Sequence, residues 1–326
     1  MMKANNNVEM TREQDCCVVL HIPHSSKNIP KKYKGLFYGD EYLINQELIK
    51  MTDSYTEDLF DVGFEKIVFR KSRLICDVER FRDEKKEPMS KKGMWICYTK
   101  DHNLLPLKKC TKKHKEEMLR LYDDHHKCFE QLVEEKLKKY NKCIIIDCHS
   151  FSSRRLTYET YKSIKRPDFC IGMNDDEGRE IVDRIISRIK EEKKEVYIDG
   201  EWVKKDYTIS VNDPFSSAIK PMKFINDKRV ISIMMEVNRY LYMDEVTGTK
   251  NGNFDRIKQL LLYSLINVDG HNDNYIRNCV NYLSTHLVAN LVGACISSQL
   301  WFAGATHKDF DEIHRRSPNF KDNSNY

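Results

Sequence analysis

The sequence predicts an α/β protein, a three-layer α/β/α sandwich built on a mixed, largely parallel sheet. Short apolar runs rich in β-branched residues alternate along the chain with longer amphipathic segments, which is the pattern of such sandwiches. The run CIIIDC at 143–148 is apolar on both faces, as a central parallel strand is. The length of 326 residues is sufficient for a large core.

The remaining elements follow from the same two periodicities. Strands are predicted where a brief apolar run ends in polar or turn-forming residues, at 16–21, 64–69, 73–78, 168–172 and 230–237. Helices are predicted where apolar residues recur at three-to-four spacing, at 40–61, 112–140, 177–192 and 254–265. The character of the sequence changes after about residue 268. We therefore expect one main domain at 16–267 and a helical C-terminal extension at 268–326, whose role the sequence does not indicate.

The composition argues against two classes of partner. The chain has 55 basic and 50 acidic residues, and a net charge of +5 is too small an excess to indicate nucleic-acid binding. The apolar stretch at 287–295 is too short to span a membrane. A polar N-terminal segment and eleven cysteines without C-x-x-C pairs favour a cytoplasmic protein with reduced thiols.

Three predicted strands end in ionisable residues. They are VVLHIPH at 18–24, IIIDCHS at 144–150 and IMMEVNR at 233–239. Because ligands bind beyond the carboxyl ends of strands in an open α/β sheet, His24, His149 and Glu236 converge if these strands are parallel neighbours. Two imidazoles and a carboxylate are the usual set for a catalytic zinc, and Asp147 could orient them from outside. The alternative for each histidine is a structural hydrogen-bonding role.

The motif HIPHSSKNIP at 21–30 resembles the opening motif of the N-formylglutamate amidohydrolase family. Later segments match the same family in order: TDSYTEDLF at 52–60, RLICDVER at 73–80, DCHSFSS at 147–153, PDFCIG at 167–172, NDPFSSA at 212–218 and SIMMEVNRYLYMDE at 232–245. The resemblance spans roughly residues 16–265. It implies a fold similar to that of zinc carboxypeptidases and aspartoacylase-like deacylases.

The resemblance also implies how a divalent metal, expected to be zinc, is bound. His24 and His149 look like metal ligands. In carboxypeptidase-like sites a Glu near the first His adds a carboxylate, but Lys27 occupies that place here. Asp53, at a matching family position, is therefore the expected third ligand, and a helix-face or capping Asp is the alternative. His21 is another possible ligand, although the second His of the motif is the fixed one in the family.

Glu236 is the expected general base, which takes a proton from water and passes it to the leaving nitrogen. The alternative is a buried Glu that is paired with Arg239 or Arg80, because a carboxylate within IMMEVNR needs a partner. His126 lies on the long predicted helix where the family pattern also has a His. It is a candidate donor to the substrate carbonyl, and a half-buried helix histidine is its alternative.

The carboxylates of an N-acyl amino acid require cationic partners, and Arg binds them bidentately. Arg80 matches the D-x-N-R motif of the family, although Glu79 stands where Asn is usual, a departure that bears on substrate recognition. The other residues expected to bind substrate are Arg73, Arg154, Ser150 and Asn212. For each arginine the alternative is a surface or structural ion pair.

The sequence thus predicts metal-dependent hydrolysis of the amide C–N bond in a small N-acyl amino acid such as N-formylglutamate. We expect no nucleic-acid or membrane partner, and homo-oligomerisation is an open possibility. One alternative is a carboxypeptidase-like enzyme that acts on peptides or cell-wall fragments. The other is a non-catalytic binding module that retains the scaffold.

Overall fold

The computed structural model describes residues 8–11, 16–159, 165–174, 176–198, 200–266 and 268–269. The strands are β1 (Val8–Thr11), β2 (Val18–Ile22), β3 (Glu65–Phe69), β4 (Cys143–Phe151), β5 (Phe169–Met173), β6 (Lys193–Ile198), β7 (Glu201–Asp206), β8 (Ile209–Val211) and β9 (Val230–Asn238). The α-helices are α1 (Lys31–Lys34), α2 (Glu41–Met51), α3 (Thr56–Leu59), α4 (Lys112–Tyr140), α5 (Arg179–Glu191) and α6 (Phe254–Leu265).

Seven strands form one mixed sheet in the order β1-β3-β2-β4-β9-β5-β8. The pairs β2–β3, β2–β4, β4–β9 and β5–β8 are parallel. The pairs β1–β3 and β5–β9 are antiparallel. Strands β6 and β7 form a separate two-stranded hairpin. The prediction of an α/β fold with a mixed, largely parallel sheet is confirmed.

The central strands are buried on both faces, and each face has its own core. On one face Ile146 and Met235 pack in a cluster that includes residues of α3, α5 and α6. On the other face Val19 and Ile145 pack against Phe129 of α4. This arrangement gives the three layers, because alternate residues of a strand point to opposite faces.

A second core lies beside the sheet and is built by the chain on either side of β3 together with the start of α4. The predicted strand at 73–78 is wrong, because these residues form turns within this core. The carbonyl of Ser72 accepts hydrogen bonds from the N–H groups of Ile75 and Cys76, at 2.8 and 3.2 Å. Leu74 and Cys76 are fully buried there, so their apolar character reflects burial in a turn rather than sheet pairing.

The same core contains a disulfide between Cys97 and Cys110. The expectation of reduced thiols is therefore wrong for this pair, whereas the other cysteines in the described part of the chain are free. The amine of Lys108 is buried beside the disulfide, and its Nζ lies 3.6 Å from Sγ of Cys97. No carboxylate in the described ranges forms an ion pair with Lys108.

The chain divides into two units, Met1–Asp269 and Gly270–Tyr326. None of the second unit is among the described residues, so the helical extension predicted at 268–326 lies almost wholly outside them. Within the described ranges, no helix has the length and apolar character that crossing a membrane requires.

Lys108 gives a prediction of pH-dependent stability. Burial lowers the pKa of Lys108 to about 7 in the folded protein, against about 10.4 in an unfolded chain. Between these values the unfolded state holds a proton that the folded state lacks, so the free energy of unfolding rises with pH. From pH 7 to pH 9 this rise should be about 2 kcal/mol, measured by denaturant titration.

Substitution Lys108→Met should remove this rise, because Met carries no titratable group. Lys109→Met, at an exposed neighbouring position, is the matched control and should keep the parent's pH dependence. Equal pH dependence in both variants would contradict the assignment of the titration to Lys108.

Candidate active site

The carboxyl ends of β2, β4 and β9 carry ionisable side chains on the sheet face that packs against α4. His149 of β4 and Glu236 of β9 are direct partners in the parallel register. His24 follows the end of β2 by two residues, and its ring centroid lies 5.3 Å from that of His149. The structure therefore brings His24, His149 and Glu236 to one edge of the sheet.

His24 is buried among three carboxylates, and one of its ring nitrogens has no hydrogen-bond partner. Its Nε2 lies 2.9 Å from Oδ1 of Asp77. Its Nδ1 has no hydrogen-bond partner and faces Oε2 of Glu79 at 3.3 Å and Oδ2 of Asp53 at 3.7 Å. Burial and Arg73 oppose protonation of the ring, but Asp77 and Glu79 outweigh them and raise the pKa of His24. The site thus favours a positive charge at this position.

His149 is surrounded by three carboxylates. Its Nδ1 lies 3.0 Å from Oδ2 of Asp53, and its Nε2 lies 3.0 Å from Oε1 of Glu79 and 3.1 Å from Oδ1 of Asp147. Burial opposes protonation of His149, but Glu79 and Asp147 outweigh it and hold the pKa of His149 well above its usual value. This ring, too, lies where a cation is strongly stabilised.

Asp53 reaches the site because the chain leaves α2 just before it. Its backbone N–H donates to the carbonyl of His24 at 3.0 Å, and its Oδ1 accepts from Arg239 at 2.9 Å. Burial alone would raise the pKa of Asp53, but its contacts with His149 and His24 and the charge of Arg239 hold that pKa well below its usual range. Asp53 is thus an ionised carboxylate shared between an arginine and the two imidazoles.

The donor set fits a divalent metal. His24, Glu79 and His149 each offer a ligand atom, and these atoms lie within 4.8 Å of one another. Imidazole nitrogen and carboxylate oxygen are the donors that zinc uses in proteins. The second nitrogen of a ligating histidine is usually held by a carboxylate, as Asp77 holds Nε2 of His24. The free Nδ1 of His24 is therefore the atom best placed to accept a metal.

Glu236 is only 9% exposed, and its Oε2 has no hydrogen-bond partner. Burial raises the pKa of Glu236 to about 7. The ion pair with Arg239 that the sequence left as an alternative is not formed, because Arg239 binds Asp53, Ser150 and the carbonyl of Lys50. Glu236 is thus a carboxyl group that can hold or release a proton near neutral pH.

Helix α4 contributes two histidines near the site, one that borders the cavity and one that is buried behind it. His126 borders the cavity, its Nε2 donates to the carbonyl of Val78 at 2.8 Å, and burial lowers the pKa of His126 to about 4. The neighbouring His125 is fully buried, with its Nε2 2.9 Å from Nε2 of His21. His21 in turn bonds to Asp147 at 2.8 Å, so this chain of hydrogen bonds leads from α4 to the edge of the site.

Two of the arginines that the sequence analysis assigned to substrate border the cavity. Arg73 and Arg80 contact Asp77 at 3.0 and 3.2 Å, and the Nε of each has no hydrogen-bond partner. Arg154, by contrast, is exposed and does not border the cavity. The structure thus brings Arg73 and Arg80, but not Arg154, to the histidine pair.

Of the two remaining substrate candidates, one borders the cavity and the other does not. Ser150 borders the cavity, and its Oγ accepts a hydrogen bond from Nε of Arg239 at 3.2 Å. Asn212 is exposed outside the cavity wall, where its Oδ1 accepts from the N–H of Met173 at 2.9 Å. Its positive φ of 55° and this bond indicate a role in the turn after β8.

His24 and His149, together with Glu79 and Glu236, border one cavity of about 760 Å³. This volume lies within the range of pockets that take a small organic ligand. Its wall combines the charged groups with apolar side chains, among them Phe81, Met222 and Ile225, which are more than 45% exposed.

Sequence reasoning missed the role of Asp77 and Glu79 at the site. A signal was present, because RLICDVER is also an apolar run that ends in ionisable residues, the same pattern that selected the other three segments. The network of His21 and His125 had no such signal, since it depends on how α4 packs on β2.

Two solved structures resemble the fold. An N-formylglutamate amidohydrolase from Ralstonia eutropha JMP134 has a TM-score of 0.62 and 18% identity, covering 83% of this chain and 98% of its own. A gene product of Agrobacterium tumefaciens has a TM-score of 0.54 and 14% identity, covering 81% of this chain and 97% of its own. The comparison with curated protein sequences gave no match. At these identities the likeness shows the fold alone.

The family model described as N-formylglutamate amidohydrolase matches residues 16–243. The match covers well over half of the chain and includes His24, His149 and Glu236. The chain belongs to the N-formylglutamate amidohydrolase family, and the resemblance predicted from its motifs is confirmed.

The buried carboxylate of Asp77 gives a prediction of stability. Substitution Asp77→Asn should lower the free energy of unfolding by about 3–5 kcal/mol, because the buried guanidinium groups of Arg73 and Arg80 lose their counter-charge. Denaturant unfolding measures the change. Asp123→Asn, which breaks the exposed pair with Arg82, is the matched control and should change stability by about 1 kcal/mol or less. Equal effects of the two substitutions would contradict the role given to Asp77.

Proposed function

We propose that this chain is a metal-dependent hydrolase that cleaves the amide C–N bond of a small N-acyl amino acid such as N-formylglutamate. The observation that carries the proposal is Glu236, a buried carboxyl group with an unpartnered oxygen, paired in register with His149. Membership in the amidohydrolase family supports the reaction class.

His24 and His149 would hold the metal together with a neighbouring carboxylate. The unpartnered Nδ1 of His24 and the excess of carboxylates around both rings support this assignment. When bound, a divalent metal supplies Lewis-acid polarisation of the amide carbonyl and lowers the pKa of coordinated water toward about 7.

Glu236 would act as the general base and then as the general acid. It takes a proton from the attacking water as the bond between water oxygen and carbonyl carbon forms. It gives this proton to the nitrogen as the C–N bond breaks, which releases the free amine and the acid. A pKa of about 7 suits both steps, because proton transfer is most efficient when the pKa lies near the working pH.

Arg73 and Arg80 are the proposed partners of the substrate carboxylates. Both border the cavity, and each has a buried Nε without a hydrogen-bond partner. Ser150 borders the same cavity, and its Oγ accepts a hydrogen bond from Arg239. Nε2 of His126 donates a hydrogen bond to the carbonyl of Val78. His126 would have to break this bond in order to donate to the substrate carbonyl.

A second candidate is a carboxypeptidase-like reaction on a peptide or cell-wall fragment. The exposed apolar side chains of Phe81, Met222 and Ile225 on the cavity wall favour it, because N-formylglutamate has little apolar surface to cover them. Products separate the two reactions, since the first releases formate from N-formylglutamate and the second releases terminal amino acids from peptides. A non-catalytic module would bind no metal, and His149→Ala would have no effect on any activity.

Substitution Glu236→Gln tests the mechanism. It should lower kcat by about 10²–10⁴ because the amide cannot carry the proton, while the metal content found by elemental analysis stays unchanged. The matched control is Glu201→Gln on the exposed strand β7, which should turn over at the parent rate. Full turnover by a metal-loaded Glu236→Gln protein would eliminate Glu236 as the base.

A further inference from the structure

We propose that Glu79 is the carboxylate ligand that completes the metal site. It would bind alongside Nδ1 of His24 and Nε2 of His149, while Asp53 positions His149 from outside. This inference rests on the proposed metal-dependent function and names the third ligand. It differs from the expectation drawn from the sequence, in which Asp53 binds the metal.

The position of Glu79 is fixed by its own backbone. Its N–H donates to Oδ1 of Asp77 at 3.0 Å, and the same Oδ1 accepts from Nε2 of His24 at 2.9 Å. Asp77 is fully buried, so it anchors both residues at once. The side chain of Glu79 is 15% exposed and reaches from this anchor into the cavity.

The distances are those of donors around one metal ion. Oε1 of Glu79 lies 3.0 Å from Nε2 of His149, and Oε2 lies 3.3 Å from Nδ1 of His24. Donors that surround a tetrahedral metal at about 2.0–2.1 Å are themselves roughly 3.3–3.4 Å apart. The carboxylate of Glu79 therefore needs only a small adjustment to share an ion with both rings.

The charges separate Glu79 from Asp53. Asp53 already has a cationic partner, since it bonds to Arg239 at 2.9 Å and lies 3.8 Å from Arg73. Glu79 forms no ion pair with Lys or Arg in the described part of the chain, and its charged contacts are with imidazoles. Of these two carboxylates, Glu79 is therefore the one whose charge remains available to a metal ion.

His24 and His149 are each held by a carboxylate on the nitrogen that faces away from Glu79. Asp77 holds Nε2 of His24, and Asp53 holds Nδ1 of His149 at 3.0 Å. Each ring has a carboxylate on its outer nitrogen, which is the usual arrangement at histidine metal sites. The inner nitrogens face Glu79, and Nε2 of His149 also lies 3.1 Å from Asp147, which also contacts His21.

The test measures metal binding rather than turnover. Metal-free full-length protein is titrated with Zn²⁺ in competition with a chromophoric chelator, and the visible spectrum of the Co²⁺-substituted protein is recorded. Glu79→Gln should weaken Zn²⁺ binding by more than 100-fold and change the Co²⁺ spectrum, because a donor atom is lost. Asp53→Asn should weaken binding by about 10–100-fold and preserve the shape of the spectrum.

Glu201→Gln is the matched control and should bind Zn²⁺ as the parent does. Parent-like affinity and spectrum in Glu79→Gln, with binding lost in Asp53→Asn, would overturn the proposal and make Asp53 the ligand. If the parent protein binds no metal, the proposed function itself fails. Circular dichroism checks folding. Should Glu79→Gln misfold, Glu79→Ala replaces it, and parent-like affinity and spectrum in that variant, which has no carboxylate, would equally overturn the proposal.

Discussion

The buried carboxylate of Asp77 is the interaction on which the rest of the site depends. Five donors converge on it: Nε2 of His24, the hydroxyl of Tyr98, the guanidinium groups of Arg73 and Arg80, and the N–H of Glu79. Several of these groups come from the second core and one from the end of β2. A single charge thus joins that core to the sheet edge, and it stays ionised because the donors outweigh the effect of burial.

The distribution of charge follows from this anchor. Arg73 and Arg80 contact Asp77 through one guanidinium nitrogen each and keep an Nε without a partner, and Arg239 contacts Asp53, so these guanidinium groups offset the charge of the outer carboxylates. The inner carboxylate, Glu79, is left with imidazoles alone. A buried cluster of this kind holds an excess of negative charge at its centre, which protons on the histidines or a metal ion can balance.

Much of the fold could be predicted from the sequence, but less of the site. The buried strands β2, β4 and β9 are continuous apolar runs, so the sequence predicts the strands. The ionisable residues that end these runs are also evident from the sequence, because they interrupt the apolar pattern. The predicted helix at 40–61 is two helices, because the N–H of Asp53 bonds to His24 instead of to a helical carbonyl, and Tyr55 takes a positive φ of 67°. That bond joins residues far apart in sequence, so no local periodicity indicates it.

Glu236 and Glu79 differ in how the fold holds them, and the difference suits their proposed roles. Glu236 lies within β9, where nine residues pair in parallel with β4, so its position opposite His149 is set by sheet register. Glu79 lies in a segment without regular structure, fixed by one bond to Asp77 and partly exposed. A base must keep a fixed place relative to the reacting atoms, whereas a ligand can close on an ion as it binds. The rigid strand therefore carries the residue proposed to move protons, and the turn carries the residue proposed to bind the ion.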